Sequence, residues 1–588
     1  MNSAVPHGAG PGSSLRRVLV WLTWLALAGA VMVRVTGGFA VALGALRISS
    51  RSVRNPLLLA SFFLVATWAL APAGRRGREL RAAWRDVSPP AVAGLAAALL
   101  VAIGLLKGAH VVAASDSYGY VSQARMWATG NLRPPARGYD VLPPGVPSEA
   151  LLPLGYLFTP DRKALVPMYS PGLPMQMALF ERLGGSDAVF YVMPLLAGLA
   201  VWATYALGSR AGGRWVGAVA AALLAVSPAL LFQLVHAPMS DVPAAAWWTV
   251  ALAALVRASP SAALLCGVAT GLAILTRPNL VLLAVIPAVS LLWSARRVSG
   301  ARAVAWQRLA LFVAGSIPAC ATVAVMNTYW YGSPLVSGYG SLAGTYYRWV
   351  HFWPNVQRYA GRMLDTEGPV AAAAALALIV FGRASAPADG ARRVVTTLFI
   401  FIVTVWLSYA FYLPFDEWWS LRFLLPAFPA LCVVASATIF RGAASLPPRA
   451  RAAAIGAAVA FALWWSVDSA RTHTATESSE DLRFAAIGRA LPQAVPPQSV
   501  VFAFLHSGSV RYYADRLTMR WDLIEPSRLD AAVAAIQQRG YATFLLIDIN
   551  EEEAFRARFA GASRLALLNW APRVSVPGAT LYALNQLP

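Results

Sequence analysis

Two aspartates stand just beyond long apolar runs of the sequence, where their carboxylates could take part in acid–base chemistry. Asp116 follows the run 90–107, and Asp241 follows the run 215–232. If these runs cross a membrane, both carboxylates emerge at the water interface, where an ionisable group is by default a functional candidate. Each aspartate could instead cap the helix that follows it, because a carboxylate accepts hydrogen bonds from the free N–H groups of a first helical turn.

Three cations accompany these acids. Arg277 in TRPN and Arg422 in WWSLR end apolar runs on the side predicted for the aspartates, and Lys163 lies in the polar stretch DRKALVP. Arginine suits phosphate because its planar guanidinium donates two parallel charge-assisted hydrogen bonds. A carboxylate that takes a proton from a hydroxyl, beside cations that stabilise a departing phosphate, would be sufficient for glycosyl transfer. The alternative is that both arginines only extend their charged ends to the membrane surface.

Four further residues near these groups are candidates for binding substrate: Tyr120, Tyr169, His236 and Trp418. Tyr120, Gln123 and Trp127 fall near the same face of a predicted helix as Asp116. His236 could bind substrate or could serve only in packing. No second His or Cys lies at metal-ligand spacing from it, so no metal site is predicted there.

The composition indicates a membrane protein. Of its 588 residues, 58% are hydrophobic and 13% are charged, which leaves more apolar surface than soluble domains can bury. The net charge of +22 comes from arginines that cluster in short segments between apolar runs, a pattern typical of membrane topology and not of nucleic-acid binding. The three cysteines lie within apolar runs and predict neither a disulfide framework nor a metal cluster.

The order of apolar and basic segments predicts a mainly α-helical, polytopic bundle of about thirteen spans. The arginines within residues 75–85 form the strongest positive run in any short loop, which should face the cytoplasm. The N-terminus is then cytoplasmic, the span that begins at Pro90 runs outward, and Asp116 reaches the external side. Two loops, residues 108–187 and 327–367, should lie outside, and the first should carry interfacial helices.

Three regions follow from this pattern. Residues 1–89 form an N-terminal two-span segment with FAVALGALRIS as a short external hairpin, residues 90–467 form the transmembrane core, and residues 468–588 have the composition of a soluble domain. In the last region, SVVFAF and TFLLIDI predict buried strands, while PSRLDAAVAAIQQRG and NEEEAFRARFAG predict amphipathic helices. A small extracytoplasmic α/β domain is therefore expected at the C-terminus.

Several motifs of the core, in their order and sidedness, resemble those of the GT-C class of polytopic glycosyltransferases. That class includes the dolichyl-phosphate-mannose protein mannosyltransferases and the aminoarabinose lipid A transferases. The resemblance covers roughly Pro90 to Val467 and rests on the following stretches: SYGYVSQARMWATGNL after Asp116, YSPGLPMQMALFERLGG, MSDVPAAAWW, GLAILTRPNLVLL, YGSPLVSGYG and WWSLRFLLPAFP. It implies a GT-C fold for the core.

The resemblance also implies roles for the candidate residues. It makes Asp116 the general base of an inverting transfer and places Arg277, with Arg422 and Lys163 as further candidates, near the donor phosphate. Asp241 is a second catalytic candidate from its position alone. Many members carry two adjacent acids where this chain has Asp116 and then Ser117. That departure leaves a divalent metal as an open alternative.

The expected function is that of a hexosyl- or pentosyltransferase of the cell membrane. It would move a sugar from a polyprenyl-phosphate-linked donor, held among membrane lipids, to a glycan, lipid or protein acceptor outside the cytoplasm. The alternative from another class is a transporter or flippase for a lipid-linked glycan. Transporters tend to show internal repeats and polar or broken helices at mid-membrane. The sequence shows no repeat, and its polar groups gather at one predicted surface, which favours the enzyme over the transporter. A third possibility is an inactive core that serves as a scaffold.

Overall fold

In a computed structural model of the protein, which describes residues 11–43, 46–71, 87–293, 301–340, 346–382, 390–474 and 480–584, most of the chain is helical. The helices of the bundle are Pro11–Thr36, Arg54–Ala69, Pro89–Lys107, Val192–Gly212, Arg214–Ala225, Pro228–Val235, Asp241–Leu255, Pro260–Thr276, Val285–Trp293, Ala301–Tyr331, Phe352–Ala375, Ala377–Gly382, Gly390–Ala410, Phe428–Gly442 and Pro448–Thr474. Apolar runs of this length form helices because a helix satisfies every backbone hydrogen bond internally in lipid. The predicted fold class, a polytopic helical bundle with a small C-terminal sheet domain, is confirmed.

Eight helices in the described part of the chain are long and apolar enough to cross a membrane. The number rises to nine if the pair Arg214–Ala225 and Pro228–Val235, which is bent by 50°, forms one broken span. Three apolar segments, Asp241–Leu255, Pro260–Thr276 and Pro278–Trp293, are shorter than the roughly 20 residues that a spanning helix needs. The protein is therefore polytopic, and the count of about thirteen spans stays a prediction.

Short antiparallel strands interrupt the helices at two places. Strand β1, Phe39–Leu43, pairs with β2, Leu46–Ser50, which confirms the hairpin predicted from FAVALGALRIS. Strand β3, Tyr156–Phe158, pairs with β4, Leu165–Pro167, between the helices Asp116–Thr129 and Gly172–Gly184. These two helices occupy the first predicted loop, as expected.

Helical residues extend into the second predicted loop, 327–367, from both ends. The helix Ala301–Tyr331 enters it from one side, and the helix Phe352–Ala375 begins well before its end. The basic run within residues 75–85, on which the predicted orientation depends, lies outside the described residues.

The C-terminal domain is built around one five-stranded sheet. Its strands are β5 Ser499–Phe502, β6 Leu517–Met519, β7 Ala542–Asp548, β8 Val574–Val576 and β9 Ala579–Ala583, in the order β6-β5-β7-β9-β8. Strand β5 runs parallel to β6 and β7, and β9 runs antiparallel to β7 and β8. The helices are Leu482–Ala494, Ser507–Ala514, Leu529–Gln538 and Glu552–Phe559. The predicted strands and helices of this domain are confirmed, and the sheet is mixed.

Candidate active site

The carboxylate of Asp116 is held by side chains from two distant parts of the chain. Asp116 is the first residue of the helix Asp116–Thr129. The hydroxyl of Tyr169 donates to its Oδ1 at 2.6 Å, and the guanidinium of Arg422 lies 3.4 Å from its Oδ2. Among the described residues, these two side chains are the hydrogen-bond partners of the carboxylate, and no backbone N–H of the helix donates to it. This arrangement favours a role in the site over the capping interpretation.

A glycine makes the contact between Tyr169 and Asp116 geometrically possible. The ring of Tyr169 packs directly on the helix at Gly119, where an added Cβ would lie 2.2 Å from ring atoms. Burial and the negative charge of Asp116 raise the pKa of the Tyr169 hydroxyl well above its ordinary value. Tyr169 therefore stays protonated and donates a hydrogen bond to the carboxylate.

Asp241 forms a second, tighter pair. Its Oδ1 lies 2.5 Å from Nη1 of Arg277, and its side chain is 2% exposed. Asp241 begins the helix Asp241–Leu255, and Arg277 directly follows the helix Pro260–Thr276, so the ends of two helices bring the charges together. Removing one partner of this buried ion pair would leave an uncompensated buried charge.

The two pairs adjoin one another through an aromatic ring. The guanidinium of Arg277 lies 5.7 Å from the centre of the Phe423 ring, and that of Arg422 lies 5.0 Å from it. Arg422 also contacts the sulfur of Met239 and interacts electrostatically with both aspartates. The structure therefore unites Asp116, Asp241, Arg277 and Arg422, as the sequence predicted, in one charged cluster.

A cavity of about 130 Å³ opens beside this cluster. Its aromatic lining consists of Tyr120, Tyr169, Trp330, Tyr331, Tyr339, Tyr347, Tyr409, Tyr412 and Phe423. Among the described residues that line it, Arg277 carries the only full charge. Tyr120 donates to Ser240 at 2.9 Å, and Asn279 donates to the Tyr409 hydroxyl at 2.9 Å. Aromatic rings with a few polar groups and one cation are suited to a ligand with an apolar or sugar portion and an anionic group.

Three candidates lie outside both the charged cluster and the lining of this cavity. Lys163 is exposed in a turn, where its backbone N–H donates to Asp161. The Nδ1–H of His236 donates to the carbonyl of Phe232 at 2.8 Å, and the imidazole stacks on the Phe232 ring. Trp418 packs edge-on to the same ring, with 4.8 Å between the ring centres. The structure therefore gives His236 and Trp418 a shared place in an aromatic cluster, and their contact with substrate stays a prediction, as does that of Lys163.

Sequence reasoning missed most of the aromatic lining. Tyr339 and Tyr347 come from the tyrosine-rich second loop, while Tyr409 lies in the last turn of the helix Gly390–Ala410 and Tyr412 follows that helix. The high density of Tyr and Trp in these segments was a visible signal, but interfacial aromatic belts produce the same signal. Composition alone could not separate lining residues from belt residues.

Sequence reasoning also missed a buried acid. Glu367 is 1% exposed and lies where the helix Phe352–Ala375 leaves helical geometry. Its carboxylate accepts from the Ser227 hydroxyl at 2.5 Å, at the break between the helices Arg214–Ala225 and Pro228–Val235. Glu367 thus ties two bent helices together.

Within the described ranges, no group of three or more His, Cys, Asp or Glu side chains could hold a metal ion. Asp116 and Asp241 are each partnered by arginine instead.

One protein-family model matches part of the transmembrane core. Residues 167–321 match the model of the dolichyl-phosphate-mannose-protein mannosyltransferase family, a segment that includes Tyr169, Asp241 and Arg277. No curated protein sequence matches the chain significantly.

Solved structures resemble the chain over most of its length. The structure of ArnT from Cupriavidus metallidurans in the apo state has 14% identity and a TM-score of 0.50, covering 83% of this chain and 97% of ArnT. The oligosaccharyltransferase of Archaeoglobus fulgidus in the apo form has 10% identity and a TM-score of 0.51, covering 83% of this chain and 73% of that one. The predicted resemblance to the GT-C class of membrane glycosyltransferases is therefore confirmed, and the chain has the fold of that class.

Proposed function

We propose that the protein is an inverting glycosyltransferase that moves a sugar from a polyprenyl-phosphate-linked donor to an acceptor on the extracytoplasmic side of the cell membrane. The observation that carries the proposal is the position of Asp116. Its carboxylate is one-third exposed, at 32%, and is linked through the Tyr169 hydroxyl to the cavity that contains Arg277. A base, a cation and an aromatic cavity thus adjoin one another.

Asp116 acts in this proposal as the general base. The acceptor hydroxyl oxygen attacks the anomeric carbon, its proton passes to the Asp116 carboxylate, and the bond from the anomeric carbon to the phosphate oxygen breaks with the electron pair leaving on the phosphate. Attack from the face opposite the leaving phosphate inverts the anomeric configuration. Tyr169 donates to Oδ1 and so orients the carboxylate, while Oδ2 faces Arg422. A positioned general base contributes about 10²- to 10⁴-fold to rate.

Arg277 is the candidate for the departing phosphate. It lines the cavity, and Asp241 fixes the orientation of its guanidinium. A phosphate held by arginine is stabilised as its charge develops during bond breaking. Arg422 and Lys163 are further candidates for the phosphate, with Asp241 as a second catalytic acid and Tyr120, Tyr169, His236 and Trp418 as substrate contacts. The family name of the matching segment, which refers to a dolichyl-phosphate-linked mannose, supports a polyprenyl-phosphate donor.

The arrangement in the membrane and the division of the chain belong to the same proposal. The N-terminus lies in the cytoplasm, and the C-terminal domain lies outside. Residues 1–89 form the two-span segment, 90–467 the catalytic core and 468–588 the external domain. The transferred sugar is a hexose or a pentose, and the acceptor is a glycan, a lipid or a protein.

The test is turnover by Asp116→Asn protein in membranes at matched expression. Undecaprenyl-phosphate-linked hexoses and pentoses serve as donors, and products are detected by mass spectrometry of membrane and surface glycans. Loss of at least about 10²-fold is expected. Asp187→Asn is the matched control, because Asp187 is exposed and does not line the cavity. Activity of Asp116→Asn within a few-fold of the unmodified protein would remove the base from the proposal.

A further inference from the structure

The turn that presents Asp116 is conformationally strained. Ala114, two residues before it, has a φ of +45°, in the left-handed region that costs roughly 1–2 kcal/mol for a residue with a Cβ. Ser117 closes the turn by donating to the Val111 carbonyl at 3.2 Å. A strained backbone persists only where its surroundings fix it. The segment 111–118 must therefore be held by contacts from outside itself.

One helix of the C-terminal domain makes such contacts on both sides of Asp116. The helix Ser507–Ala514 brings the Tyr513 hydroxyl 2.8 Å from the backbone N–H of Val112, which donates to it. At its other end, Gly508 packs against the ring of Tyr118 so closely that an added Cβ would lie 2.4 Å from ring atoms. The helix thus contacts the chain four residues before Asp116 and two residues after it.

The same helix is fixed to the loop that carries Tyr169. The Ser507 hydroxyl accepts from the backbone N–H of Leu154 at 3.1 Å, and Arg511 donates to the Leu151 carbonyl at 2.5 Å. Leu154 is followed by Gly155, whose backbone packs closely on the Tyr169 ring. The helix Ser507–Ala514 therefore contacts both the turn that carries Asp116 and the loop that packs on Tyr169.

A buried polar network holds this helix on its own domain. His506 lies 2.9 Å from Asp548, and Arg483 donates to the same carboxylate at 2.7 Å. Ser509 lies 3.3 Å from His506, so these residues have the composition of a hydrolase triad. The side chains of Ser509, His506 and Asp548 are all fully buried, and no substrate could reach them. The network anchors the start of the helix to strand β7 and is not a second active site.

We propose that the helix Ser507–Ala514 is a clamp that positions Asp116, with Tyr513 and Gly508 as its positioning residues. The proposal rests on the proposed function, in which Asp116 is the base. The clamp explains why the C-terminal domain contacts the strained turn directly. It also predicts that changes in the C-terminal domain alter the kcat of the reaction in the core, because they alter the position of Asp116.

The first test removes one hydroxyl from the full-length protein in nanodiscs. Tyr513→Phe deletes the acceptor for the Val112 N–H, and hydrogen–deuterium exchange of the peptide that contains residues 109–118 should rise about 2- to 10-fold, the range for one hydrogen bond. The kcat should fall by a similar factor, with the KM for an undecaprenyl-phosphate-linked donor unchanged. Tyr512→Phe is the control, because no hydrogen bond joins Tyr512 to residues 111–118 within the described structure.

The second test increases the volume of the side chain at position 508, where the helix packs on Tyr118. Gly508→Ala places a methyl group against Tyr118 and should lower kcat more than Tyr513→Phe does. Adding Tyr118→Leu to Gly508→Ala makes room for the methyl group and should restore part of kcat. Rescue of kcat while the unfolding temperature stays the same in all variants would separate the clamp from general destabilisation of the domain.

The outcomes separate the clamp from the proposed function. If Tyr513→Phe changes neither exchange nor kcat while Asp116→Asn lowers turnover, the clamp is overturned and the base stands. If Asp116→Asn retains turnover while Tyr513→Phe accelerates exchange at Val112, the proposed base fails. In that case the helix still holds the turn, but it does not position a base.

Discussion

Asp116 and Asp241 each follow a serine and begin a helix after a long apolar run, but the structure pairs them with arginine in different ways. Asp241 is 2% exposed and lies 2.5 Å from Arg277, whereas Asp116 is 32% exposed and lies 3.4 Å from Arg422. We call the Asp241–Arg277 pair closed, because the Asp241 side chain is almost inaccessible and a substrate hydroxyl could reach it only by disturbing a buried ion pair. We call the Asp116–Arg422 pair open, because its carboxylate is partly exposed and a substrate hydroxyl could approach it. Within the proposed function, this difference suits Asp116 to proton transfer, whereas Asp241, the proposed second acid, holds Arg277.

The largest expected effect separates the two aspartates by activity. Asp116→Asn should lower turnover by at least about 10²-fold and leave thermal stability nearly unchanged, because asparagine is almost isosteric, its amide oxygen can still accept from Tyr169, and Arg422 keeps its interaction with Asp241. Turnover and the unfolding temperature of the purified protein in detergent are measured together. A variant that unfolds at a much lower temperature but keeps its specific activity would reverse the assignment.

Asp241→Asn should lower stability as well as turnover, because Asp241 holds Arg277 in a buried ion pair. The guanidinium of Arg277 is 14% exposed and would lose its buried counter-charge, a change that destabilises proteins by roughly 3–5 kcal/mol. Thermal unfolding in detergent gives the measurement. The double variant Asp241→Asn with Arg277→Gln removes both charges and should recover much of the stability but none of the activity. Full activity in the double variant would exclude Arg277 from donor binding.

The third expected effect concerns the shape of the guanidinium. Arg277→Ala would leave Asp241 unpaired, so its effect on donor binding would be confounded with misfolding. Arg277→Lys keeps the charge and loses the planar fork, which should weaken donor binding by something like 1.5 kcal/mol, about tenfold. Binding of undecaprenyl-phosphate-linked sugar to the purified protein is the measurement. Unchanged affinity would return Arg277 to a purely structural role.

Local features of the sequence predicted much of the fold and the charged residues of the site. The spacing of apolar runs predicted the bundle, the β1–β2 hairpin and the strands of the C-terminal domain, because periodicity and turn residues act locally. The charges at the ends of apolar runs identified Asp116, Asp241, Arg277 and Arg422, because ionisable residues are costly at the edge of hydrocarbon.

The sequence could not predict which arginine pairs with which aspartate, because the pairing depends on contacts between distant segments. Nothing in the local sequence distinguishes Asp116 from Asp241, since their different partners come from 306 and 36 residues away. The sequence nominated Tyr169 only as a substrate contact, and its hydrogen bond to Asp116 was beyond prediction, as was that between Val112 and Tyr513. Both bonds depend on packing between segments that are far apart in the chain.

The smallest expected effect tests the hydrogen bond that distinguishes the open pair. Tyr169→Phe removes the proton donated to Oδ1 of Asp116 and keeps the ring that packs on Gly119 and lines the cavity. One hydrogen bond to a charged group contributes about 1.5–3 kcal/mol. Asp116 is partly exposed, however, and water replaces some of the lost bond, so we expect kcat to fall about tenfold or less.

Tyr120→Phe is the matched control for this measurement. Its hydroxyl also lies at the cavity but donates to Ser240, on the side of Asp241. If only the open pair takes the proton, Tyr169→Phe should lower kcat and Tyr120→Phe should affect mainly the KM for the donor. Equal losses of kcat in the two variants would mean that both hydroxyls act on substrate directly, and the distinction between an open and a closed pair would no longer explain catalysis.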